Sequence, residues 1–142
     1  MTEHLDLSRF LTAQQDAYRA ALDELRSGRK RSHWMWFVFP QIQGLGHSAT
    51  AQYYAIRSLA EGQAYLAHPI LGARLRECLL ALDQLPPTTA EDVFGPVDAM
   101  KFRSSLTLFA EANDSDPFVQ GALYRWFGGR KDDRTLELLG RA

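Results

Sequence analysis

One cysteine, Cys78, stands in 142 residues. That excludes an internal disulfide and a cysteine-based metal cluster. No stretch approaches the ~20 consecutive apolar residues that a membrane-spanning helix needs. The start, Met1-Thr2-Glu3-His4-Leu5-Asp6, lacks the basic beginning and apolar run of a secretory signal. A cytoplasmic protein with no membrane partner is therefore expected. The four histidines, His4, His33, His47 and His68, show no H-E-x-x-H or i,i+4 pairing, so no metal site is expected. There is no P-loop and no G-x-S-x-G, and nothing calls for a cofactor.

Acid is missing from one region in particular. Between Glu24 and Glu61 there is no Asp or Glu, while Arg26, Arg29, Lys30, Arg31 and Arg57 all fall there. That segment carries +5 and the rest of the chain −6, which the overall charge of −1 conceals. The overall balance makes nucleic acid an unlikely partner, because a broad basic footprint is the usual requirement.

What is present is ordinary for a globular protein: 46% apolar and 23% charged residues. A chain of this length buries roughly 68–70% of its unfolded surface, so residues 1–142 are expected to form one domain with one core. The pattern is helical nearly throughout. Leu7, Phe10, Leu11, Tyr18, Ala21, Leu22 and Leu25 recur at three- and four-residue spacing, with Asp6 as the expected N-cap and Gly28 as the stop. Further helix starts are read at Ser48, at Ser58 with Glu61 in capping-box spacing, at Pro69, Thr89, Pro96, Asp116-Pro117 and Asp133. Stops are read at Pro86-Pro87, Gly95 and Gly128-Gly129. The expectation is an all-α, multihelical domain of seven or eight helices. The run Trp34–Phe39 has the composition of either a short strand or a buried helical turn, so one extended segment near Trp36 is left open.

Three groups of residues could bind something. Arg29-Lys30-Arg31 lies beside Trp34, Trp36 and Phe37; guanidinium grips phosphate and an indole face stacks on a ring. The ordinary alternative is solvated charge beside core aromatics. Gly44-Leu45-Gly46-His47-Ser48-Ala49 fits G-x-G-x-x-A and leads into a helix, so Gly46 and Ser48 are candidates for a second anionic group; the ordinary alternative is a tight turn with a serine cap. Lys101, Ser104 and Ser105 share one helix face. The serines there bind a ligand or bond back to carbonyls, and Lys101 turns toward Trp36 and His33 or pairs locally with Asp98. Should the site be catalytic, His33 or His47 is the acid/base by its ordinary pKa. Cys78 lies on an apolar helix face and reads as a buried thiol.

With these residues laid out, the chain resembles an uncharacterised family of small, multihelical, bacterial-type proteins catalogued as domain of unknown function 1810. The resemblance runs from Arg9-Phe10 to Thr135-Leu136. Its most specific block is Gly28-Arg29-Lys30-Arg31-Ser32-His33-Trp34-Met35-Trp36-Phe37-Val38-Phe39-Pro40-Gln41, joined by Gly44-Leu45-Gly46, His68-Pro69-Ile70-Leu71-Gly72 and Lys101-Phe102-Arg103-Ser104-Ser105. The departures are small, such as Val38 where isoleucine is usual. The resemblance implies a multihelical fold and no activity. Some relatives carry the label calpastatin, which a short, non-repetitive and foldable chain does not support.

These readings converge on the binding, and at most the hydrolysis, of a small phosphate-bearing anion such as a nucleotide or an ADP-ribose-like molecule. The different-class alternative is a protein-interaction module or homodimer built on Trp34 and Trp36.

Overall fold

The computed structural model describes residues 5–141. It contains nine helices among them: α1 Ser8–Ser27, α2 Met35–Val38, α3 Ala49–Tyr54, α4 Leu59–Ala67, α5 Leu71–Asp83, α6 Ala90–Phe94, α7 Pro96–Ala112, α8 Pro117–Phe127 and α9 Asp133–Leu138. The all-α expectation holds. Within the described residues no helix is long and apolar enough to cross a membrane. His4 lies outside the described residues.

Local chemistry sets most boundaries. Gly28 closes α1 at φ 78°, where its N–H bonds Leu25 and the N–H of Arg29 returns to Glu24, the paired pattern of a left-handed C-cap. Ser48, Ser58, Thr89 and Asp116 each accept a backbone N–H and cap α3, α4, α6 and α8. Two caps differ from expectation. Asp6 does not cap α1: Leu7 takes that position, and Asp6 instead accepts from Ser8 N–H in a tight turn. At the last helix Asp132, not Asp133, caps, because it accepts from Thr135 N–H.

The open question around Trp36 resolves to helix, since Met35–Val38 forms one short turn that Phe39-Pro40 ends. The extended pairing comes later, as a parallel bridge between Ile42 and Ile56. Gly44 adopts φ 106° there. Gly46 is needed for space instead: a Cβ on it would lie 2.5 Å from the Ala51 Cβ.

Helix α7 is the centre of the molecule and packs on α4, α6, α8 and α9. From Ser104 to Ala110 every residue is buried, as expected of a helix surrounded by others. Phe102 stacks on Phe94 at 4.6 Å and meets Phe39 edge-on at 5.0 Å. On the other flank Tyr65 sits 5.2 Å from Phe109 and 5.1 Å from Phe10. Polar groups inside are largely matched. Arg9 pairs with Glu61 at 2.6 Å, both side chains nearly fully buried. Gln14 donates to the Phe37 carbonyl at 2.7 Å and to the Tyr65 hydroxyl at 3.0 Å, which ties α1 to α2 and α4.

Candidate functional site

The acid-free segment is not acid-free in space. Glu24, reaching over from α1, accepts the N–H groups of Arg31 (2.6 Å) and Ser32 (2.9 Å), the Ser32 hydroxyl and the Trp34 indole N–H (3.0 Å). Burial raises its carboxyl pKa, but the hydrogen bonds from Ser32, Arg31 and Trp34 outweigh that and hold it down at about 2. From the other side α7 supplies Asp98, which pairs with Lys30 at 2.9 Å. Lys30 also donates to the Ser32 carbonyl at 2.6 Å and lies over the Trp34 ring.

The consequence is an alternation. Residues 29–32 are pinned through their backbone: Arg29 N–H to Glu24 O, Lys30 N–H to Val93 O, and the next two to the Glu24 carboxylate. Lys30 and Trp34 turn inward, while Arg29, Arg31 and His33 are exposed, the period of two that an extended chain imposes. The side chains of Arg29, Arg31 and His33 make no hydrogen bond or ion pair among the described residues. Two expected ligand residues thus take structural places. Lys30 is neutralised and only 8% exposed along its side chain, and Trp34 is buried with its one donor spent.

Lys101 and the tryptophan segment do meet. The Lys101 ammonium lies 5.2 Å from the Trp36 ring centroid and 3.6 Å from Asp98. The contact with Trp36 and the local pair with Asp98 occur together, and Asp98 bridges Lys30 and Lys101; no contact among the described residues joins Lys101 to His33. Ser104 bonds back to the Met100 carbonyl at 3.1 Å, and Ser105 is buried with its hydroxyl unpartnered. The serines therefore belong to the interior of α7.

The glycine turn adjoins Trp36 but leaves no room for a ligand. The Ser48 hydroxyl is spent on Ala51 N–H at 3.1 Å, and α3 is six residues long. Gly46 and half-buried Trp36 line only a tiny cavity of about 10 Å³ with Tyr54, too small for a ligand. His47 is exposed. Burial pushes the Cys78 thiol up to about 12, which makes it a poor nucleophile. No group of three or more His, Cys, Asp or Glu among the described residues could hold a metal ion.

Glu24 is the residue sequence reasoning missed. It lies outside the basic block, and its partners are two backbone N–H groups, a serine hydroxyl and an indole N–H, none of which singles out a particular acid in the sequence. Residues 4–139 match the family described as protein of unknown function (DUF1810). The fold is similar to the crystal structure of the conserved hypothetical protein Rv1873 from Mycobacterium tuberculosis, with a TM-score of 0.92 and 50% identity over 95% of this chain and 96% of that one. None of the curated proteins matches the chain.

Proposed function

The chain belongs to DUF1810, a family of proteins of unknown function, and from its own geometry we propose that it binds a phosphate-bearing anion along the edge formed by Arg29, Arg31 and His33. The observation that carries this reading is the set of three outward side chains, two of them permanent cations, without internal partners on a backbone fixed at four points. The backbone of Arg29 and Arg31 is held in advance, so no loop-ordering cost is added to the side-chain entropy lost when their guanidiniums close on phosphate oxygens.

Binding is favoured over hydrolysis. Among the described residues His33 has no carboxylate or hydroxyl partner to fix its tautomer and orientation. The open edge suits a ligand that lies along the surface, a diphosphate-containing molecule above all. Calorimetric titration with pyrophosphate, ADP and ADP-ribose tests it. Salt-sensitive binding that Arg31→Ala abolishes is expected, and no heat with any of the three would leave the proposal without support.

A second reading rests on α7. Val97 and Met100 are 66% and 72% exposed and flank Lys101 on the helix face next to Trp36. An interaction surface or homodimer contact there would cover them. Sedimentation at micromolar concentration distinguishes it: a strict monomer removes the homodimer.

A further inference from the structure

A cleft of about 210 Å³ opens between α5 and α8, lined by none of the residues of the candidate site. Its lining includes Leu80, Asp83, Phe118, Gly121, Ala122 and Trp126. Leu80 and Phe118 are 46% and 41% exposed, so two large apolar side chains from different helices stand in water around one concavity.

Gly121 adds an independent observation. It lies inside α8, where glycine is unfavourable relative to alanine. Its φ is not positive, so the backbone does not require it. A Cβ placed on it would meet nothing within 4 Å, so internal packing does not require it either. Gly121 is exposed and belongs to the cleft's lining, so its bare backbone leaves that stretch of the lining open.

The charge is also specific. Arg125 directs its guanidinium to the carbonyls of Asp83 and Leu85 (2.8 Å to the latter) and lies 4.7 Å from the Trp126 ring centroid. It reaches one carboxylate oxygen of Asp83, Oδ1, at 3.2 Å. Oδ2 has no partner among the described residues, and the Asp83 side chain is 68% exposed. The cleft thus combines a mostly apolar lining with an exposed carboxylate that Arg125 engages through one oxygen. An apolar cavity of about 150 Å³ accepts benzene, so this volume suits one substituted ring.

We infer that this cleft binds a small aromatic amine, its ring over Gly121 between Leu80, Phe118 and Trp126 and its ammonium on Asp83. The site is separate from the arginine edge and stands or falls without it.

The test uses a matched set on the full chain: phenethylamine and phenylacetate, followed by amide chemical shifts and calorimetry. Phenethylamine is expected to shift amides of α5 and α8 and to bind at least tenfold more tightly than phenylacetate. Asp83→Asn should erase that preference. Gly121→Ala should raise the melting temperature, since nothing opposes the added methyl, and weaken phenethylamine binding severalfold. Absence of shifts in α5 and α8, equal or tighter binding of phenylacetate, or unchanged affinity in folded Gly121→Ala would each overturn the inference.

Discussion

Lys30 and Asp98 form an ion pair at 2.9 Å that joins the segment after α1 to the first turn of α7. The lysine in the middle of a basic triplet is thereby a structural residue, and its two arginine neighbours are not. Lys30→Met should lower stability by about 1–3 kcal/mol, because Asp98 loses its better partner and retains Lys101. Arg29→Ala and Arg31→Ala should each change it by no more than about 0.5 kcal/mol. Urea melts of the three variants make the comparison.

Glu24 should control the acid limb of stability. Its carboxyl is held at about 2 in the fold against an ordinary 4.5. A depressed carboxylate stabilises the fold above the unfolded value and loses that contribution as pH falls. Wild type should lose stability as pH drops from about 4.5 to about 2, and Glu24→Gln should flatten that limb while being less stable at neutral pH. Denaturant midpoints across this pH range read both effects.

Gly46→Ala should destabilise by about 1–3 kcal/mol, as expected for forcing extra volume into a packed site, because the new Cβ would lie 2.5 Å from that of Ala51. Ala51→Gly in the same chain should recover most of the loss. Thermal melts of the single and double variants give the coupling.

Cys78 should resist thiol reagents in the native state. Burial pushes its pKa up to about 12, and the side chain is fully covered. Modification at pH 8 should proceed at the rate of unfolding, and denaturant should accelerate it sharply.

The helices were legible because caps and apolar spacing are local. Ser48, Ser58, Thr89 and Asp116 announce their helices within four residues. Asp132 and Asp133 compete for one cap, and adjacency alone does not choose between them. The site was legible only in part. The basic triplet and Lys101 stand out in the sequence, and the local Lys101–Asp98 pair was one of two open arrangements, but nothing local announces that Lys30 shares Asp98. Long-range partners decided the rest: Glu24 consumes the Trp34 donor, and Val93 pins Lys30. The cleft between α5 and α8 left no mark, because Gly121 and Phe118 look ordinary until the two helices pack.

Anion binding at the arginine edge is read directly from a map of backbone amide shifts as ADP is added to the ¹⁵N-labelled chain at low ionic strength. Shifts are expected at residues 28–34 that saturate, weaken as salt is added, and vanish in the Arg29→Ala/Arg31→Ala variant, which stays folded. Shifts that survive in that variant, or none at residues 28–34, would contradict it.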